Sequence, residues 1–213
     1  MVDRLAEIFK RQAEYVESIR AIQEKNALAV PPYPLGIDNR AHQEIFRLLA
    51  WRFTEEVTEA IASFETSSSW IAKFREEIAD ALHFLIELAL AAGISEAELI
   101  SGIGGSSLGN RDYLSEIFND LAWAGSTPGA GASVPTSWAA VIVALGFAMQ
   151  NLRQRPWRTD HRPTNRKIFV AQMSSVLRSF IVACMHSGIT ADILYNAYFA
   201  KAKIIDQRTA EQK

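Results

Sequence analysis

The sequence predicts an all-α protein, a helical bundle containing an internal pseudo-repeat. Three observations predict it. Apolar residues recur at helical spacing through most of the 213 residues. Alternating β-branched runs are scarce, and Pro and Gly collect between the periodic segments rather than inside them. The stretch FREEIADALHFLIELALAAGIS is echoed later by FVAQMSSVLRSFIVACMHSGIT.

The first helix covers about residues 2–24. The loop NALAVPPYPLG follows, ending at Asp38, the expected N-cap of a long helix that runs through Phe64. On that helix Phe46, Leu49, Phe53, Val57, Ala60 and Phe64 share one apolar arc. The serine cluster Thr66–Ser69 turns the chain into a second amphipathic helix, whose arc is Phe74, Ile78, Ala81, Leu85 and Ala92; Gly93 is its C-cap. A short helix at Ser95–Ile100 closes a first half, residues 1–100. Residues 101–137 read as a flexible connection in which SGIGGSSLGN and GSTPGAGASVP flank the short helix RDYLSEIFNDLAWAG, a lid or a linker. Residues 138–213 form a second half, and the whole of 1–213 reads as one domain.

Composition narrows the classes. Hydrophobic content of 49% with 22% charged residues is that of an ordinary globular chain. A net charge of −2 gives no electrostatic basis for a nucleic-acid partner. Arg4, Glu7, Lys10, Arg11 and Glu14 interrupt the N-terminal helix, so no signal peptide, membrane span or membrane partner is expected. The single Cys184 lies in the apolar run SFIVACM as a packed thiol, and the lack of any possible intrachain disulfide fits a reducing cytoplasm, the expected location.

The candidate chemistry lies in two carboxylate pairs, Glu56 with Glu59 in TEEVTEAIASF and Glu77 with Asp80 in FREEIADALHF. At about 100° per residue, Glu56 and Glu77 fall at the margins of their apolar arcs, and Glu59 and Asp80 lie roughly 60° further round. Helices packed through those arcs bring four acids to one rim, where repulsion and partial desolvation are costly without a counter-cation. Hard oxygen ligands in that number suit Mg²⁺, or Mn²⁺. The plainer reading is that they are solvated flanks of ordinary helices; Glu65, Glu76 and Glu87 are read that way.

The internal repeat bears on this choice. Phe74 aligns with Phe169 and Gly93 with Gly188, while the preceding helix aligns Phe53 with Phe147. Under that alignment Glu56, Glu59, Glu77 and Asp80 become Gln150, Arg153, Gln172 and Ser175, so the second half is a degenerate copy without the acids.

The strings AWRFTEEVTEAIASF and FREEIADALHFLIEL resemble the ExxE and ExxD helices of the all-α nucleoside triphosphate pyrophosphatases, and among them the dimeric dUTPases rather than the shorter MazG-like proteins. The resemblance covers most of the chain. It implies base recognition by Gln12, and a C-terminal phosphate-binding motif matched by Tyr198, Lys201 and Arg208. Ala202, Ile205 and Thr209 depart from that motif, and the Trp-Lys stretch between the acid helices is reduced to FETSSSWIAKF, with Trp70 and Lys73 as remnants. The implied activity is Mg²⁺-dependent hydrolysis of a deoxynucleoside triphosphate, dUTP first, to the monophosphate and pyrophosphate, in a homodimer. Glu56 or Glu59 would activate water, Lys73, Lys201 and Arg208 would meet phosphates, and Trp70 or Phe84 would stack on the base. His83 is placed on the polar side of its helix near Asp80 and counted among the substrate-binding residues, as a hydrogen-bonding neighbour of the carboxylates rather than the alternative, a metal ligand. The alternatives are the same chemistry on dCTP or a modified dNTP, and a catalytically silent helical dimer acting as an interaction module.

Overall fold

The computed structural model describes residues 3–25, 31–66, 70–103, 112–123, 133–154, 157, 159–160 and 162–211. Its described residues form eight helices: α1 (Arg4–Lys25), α2 (Arg40–Thr66), α3 (Trp70–Ala91), α4 (Glu96–Ser101), α5 (Tyr113–Trp123), α6 (Val134–Gln150), α7 (Arg166–His186) and α8 (Ala191–Ala210). The all-α expectation holds. The serine turn at 67–69 and most of the two Gly/Ser stretches read as flexible lie outside the described residues.

Two hairpins, α2 with α3 and α6 with α7, pack together as a four-helix core. Its centre is aromatic: Phe46 meets Phe169 at 6.4 Å between ring centroids, Phe53 meets Phe180 at 6.2 Å, and Trp138 meets Phe74 at 5.8 Å and Phe180 at 5.3 Å. All six side chains are essentially buried, each contributing about 2–3 kcal/mol of apolar transfer. Trp138 keeps its indole N–H satisfied by donating to Ser187 Oγ at 2.9 Å.

The outer helices obey one rule in both halves. α1 packs on α3 as α5 packs on α7, while α4, which follows α3, packs on α7 and α8, which follows α7, packs on α3. The chain is a four-helix unit, α1–α4, repeated as α5–α8, with the last helix of each unit crossing to the other hairpin. The joints match as well. Gly93 and Gly188 both adopt positive φ, 62° and 72°, and the amides of Ile94 and Ile189 reach back to Ala89 O and Cys184 O at 2.9 Å each. These are two Schellman ends, and the next residues, Ser95 and Thr190, both cap a following helix.

Three local expectations need correction. Asn39, not Asp38, caps α2, its Oδ1 accepting from His42 N at 3.2 Å; Asp38 instead accepts from Thr164 N at 2.5 Å, tying α2 to the loop before α7. The alignment of Phe53 with Phe147 fails, because Phe147 is 54% exposed and Phe53 fully buried. The buried face of α6 is Trp138, Val141 and Leu145, which fall on Phe46, Leu49 and Phe53. The reciprocal ring pairs Phe46–Phe169 and Trp138–Phe74 require that register. The counterparts of Glu56 and Glu59 are then Ala148 and Asn151 rather than Gln150 and Arg153, and Arg153 lies beyond the helix.

α5 buries Leu114, Ile117, Phe118 and Leu121 and sits beside the N-terminal end of α8, near Asp192. α7 is long and apolar enough to cross a membrane, the one such helix among the described residues; half of it is buried here, with Phe169, Met173, Leu177 and Phe180 in the core.

Candidate metal centre

The predicted apolar arcs of α2 and α3 face each other, and this sets the acids. Phe46, Leu49, Phe53, Val57 and Ala60 are buried against the face of α3 carrying Phe74, Ile78, Ala81 and Leu85. The side chain of Phe64 lies outside the described residues. At the margin of the seam Glu56 is half-buried, Glu59 exposed and Glu77 buried, at 8% exposure. One carboxylate oxygen from each of these three lies within 4.8 Å of the others. Such a trio could hold a metal ion, and its all-oxygen, all-anionic donor set fits a hard divalent cation.

Electrostatics mark the same point. Burial, then the charges of Asp80, Glu59 and Glu77, push the Glu56 carboxyl up to about 7, with Lys201 opposing. Burial followed by Glu59 and Asp80 also raises Glu77. The second half shows the uncharged equivalent. Asn151 and Gln172, the counterparts of Glu59 and Glu77, join through a side-chain hydrogen bond from Asn151 Nδ2 to Gln172 Oε1. Amides attract where carboxylates repel, so packing at this seam does not demand acids.

Asp80 is not one of the three converging acids, although its charge acts on Glu56 more than that of either neighbour in the trio. Its Oδ2 lies 2.6 Å from Lys201 Nζ, which also donates to Glu76 Oε1 at 2.8 Å. Burial raises the Asp80 carboxyl while Lys201 pulls it down. Burial works against the Lys201 charge, yet Asp80 and Glu76 outweigh it and hold the ammonium above its ordinary value. Glu76, read as surface charge, is thus part of the site. Arg208 and Lys73 are exposed at the same end; Arg208 acts electrostatically on Asp80 and Glu76, and Lys73 on Glu77 and Glu76.

The residues assigned to the base divide between two places. Gln12 is fully buried, its Oε1 accepting from Tyr198 OH at 2.9 Å and from His83 Nδ1 at 2.7 Å, and its amide donating to Glu87 Oε2 at 3.4 Å. With that acceptor, Nδ1 carries the imidazole proton. His83 is therefore not on the polar side of α3: it is 7% exposed, stacks on Tyr198 at 4.0 Å, and is pushed down to about 3 by burial. Tyr198 is an interior residue too. Glu87, read as surface charge, closes this network by accepting from Tyr33 OH at 3.1 Å. The missed signal is the spacing Glu76, Asp80, His83, Glu87, a polar stripe on α3 that α8 and α1 cover.

Phe84 lines a different feature, a cavity of about 420 Å³ between α1, α2 and α3, shared with Tyr15, Tyr33, Leu48, Leu49 and Glu87. Leu49 precedes Glu56 by seven residues and Phe84 follows Glu77 by seven, so the cavity lies two turns, about 10 Å, along the seam from the acids. Trp70 does not reach it, packing edge-on against Phe74 at 6.0 Å. In comparisons with protein-family models, curated proteins and solved structures, the chain matches none.

Proposed function

We propose that this protein is a divalent-cation-dependent hydrolase that converts a deoxynucleoside triphosphate, dUTP in the leading reading, to the monophosphate and pyrophosphate. One observation carries the proposal: Glu56, Glu59 and Glu77 converge within 4.8 Å in the half that holds acids, whereas the other half sets neutral amides at the matching seam. Repelling carboxylates kept on a packed seam are what a cation site requires and a scaffold does not.

Glu56, Glu59, Glu77 and Asp80 would hold Mg²⁺, with Mn²⁺ as a substitute. The ion would offset phosphate charge and acidify water. Glu59, the exposed member of the trio, is open to solvent and is assigned to take the proton from the attacking water at a free carboxylate oxygen. Lys201, Arg208 and Lys73 are assigned to the outer phosphates, since all three are cations at the acid-bearing end. The cavity flanked by Phe84 is assigned to the nucleoside. Gln12 and Tyr33 position Glu87 on its wall, so Gln12 acts behind the base contact rather than through it.

Glu87 also favours a second reading. A carboxylate lining the cavity accepts hydrogen bonds, which suits a base carrying an exocyclic amine such as that of dCTP. Homodimerisation belongs to the same proposal, and α6 leaves Val143 and Phe147 exposed as apolar surface for it.

Pyrophosphate release with Mg²⁺ across the four dNTPs, dUTP and the ribonucleotides tests the reading. Selective turnover of one pyrimidine deoxynucleotide, lowered at least about a hundredfold in Glu56→Gln with the fold intact, is expected. No turnover on any of these nucleotides would overturn the dUTP and dCTP readings and leave a modified deoxynucleotide substrate or a silent helical module.

A further inference from the structure

Lys201 is bonded to the one acid of the four that lies outside the converging trio. Three carboxylates converge, while the fourth, Asp80, is bound to an ammonium 2.6 Å away. Neither member of that pair is a freely hydrated surface group: the Lys201 side chain is 11% exposed and that of Asp80 16%. Lys201 is also gripped from its other side by Glu76 at 2.8 Å, and Glu76 is itself half in solvent, at 51%. The ammonium thus sits between an acid on the cation side and an acid on the solvent side. A groove of about 560 Å³ adjoins it, walled by Ala72, Arg75 and Glu76 of α3 and by Ala197, Ala200 and Ile204 of α8. Lys201 and Glu76 both line that groove, so open space lies beside the ammonium on the Glu76 side.

We infer that Lys201 is a built-in stand-in cation: it holds Asp80 in the metal-free site, is displaced when a divalent cation takes Asp80, and pivots on Glu76 toward the open groove. The inference rests on the metal reading of Glu56, Glu59 and Glu77. It gives Lys201 a positioning role that phosphate contact alone does not include. Two positive charges compete for one carboxylate, so binding the divalent ion and releasing the lysine are a single coupled exchange. The exchange keeps the interior from carrying Asp80 unpaired when the ion is absent, and frees an ammonium beside the acids only once the ion is present.

Manganese titration of the full chain, followed by the electron paramagnetic resonance of free Mn²⁺, tests this without reference to turnover. The comparison is wild type, Glu56→Gln, Lys201→Met and Lys201→Arg. Lys201→Met keeps the apolar stem and removes the competing charge, so Mn²⁺ should bind about tenfold tighter than to wild type, while Lys201→Arg stays near wild type. Binding that Glu56→Gln does not weaken would defeat the metal reading itself. Binding that Glu56→Gln weakens but Lys201→Met leaves unchanged would defeat only the Lys201 inference. Amine labelling of the wild-type protein, read by peptide mass, supplies a variant-free check. Lys201 should label several-fold faster with saturating Mn²⁺ than without it; an unchanged rate overturns the exchange.

Discussion

Glu56 and His83 pull the stability of the metal-free protein in opposite directions with pH. Glu56 is raised from 4.5 to about 7, so the folded state holds its proton more tightly than the unfolded chain does. Its contribution is fully present below about 4.5 and is lost as pH rises through about 7. His83 is lowered from 6.5 to about 3, so stability is lost as pH falls below 6.5 and the unfolded imidazole takes up a proton. These two groups balance at about pH 5–6, and Glu96, raised to about 7 by burial and by Asp3, adds to the neutral limb, so the metal-free protein should melt highest at mildly acidic pH. Thermal scans should show Glu56→Gln flattening the neutral limb, and saturating Mg²⁺ should do the same because a bound cation replaces the proton. A neutral limb unaffected by Mg²⁺ would separate the Glu56 carboxyl from any cation site. The marginal placement of Glu56 and Glu77 was legible from helical angles alone. The burial of Gln12, His83 and Tyr198 was not, because one helix wheel shows a single apolar face, while α3 is covered on further faces by α1 and α8.

At the scale of elements, the two Schellman joints offer a matched comparison. A Cβ at Gly93 would lie 2.9 Å from Pro34 Cβ, whereas at Gly188 nothing lies within 4 Å. Both positions have positive φ, so Gly188→Ala should cost about 1 kcal/mol of backbone strain and Gly93→Ala about 2–3 kcal/mol, strain and clash together. Urea denaturation of the two variants measures the difference; equal costs would mean that the Pro34 contact yields freely. The Gly-Ile-Ser/Thr joint was readable in the sequence because its chemistry is local: a left-handed glycine, an apolar C″ residue and a capping hydroxyl. The register of α6 was not. Matching Phe53 to Phe147 honours residue identity, but α6 is apolar around most of its circumference, so only the packed structure shows that Trp138 and Leu145 face inward.

For the whole molecule, the repeat explains where chemistry is possible. A four-helix unit used twice forms a core with two equivalent seams, and only the α2–α3 seam carries carboxylates. The repeat was visible in sequence through α3 and α7, whereas its extension to α1–α4 and α5–α8 emerges from packing between elements that share no evident pattern. The base assignment was the least legible part, since the polar stripe of α3 is divided between an interior network and a cavity wall by neighbours distant in sequence. Anomalous diffraction from crystals grown with Mn²⁺ distinguishes the two seams. Mn²⁺ peaks are expected among Glu56, Glu59 and Glu77, with Lys201 withdrawn from Asp80 and none at Asn151 and Gln172. Ordered crystals without a peak at the α2–α3 seam, at Mn²⁺ concentrations that saturate binding in solution, would contradict the metal reading.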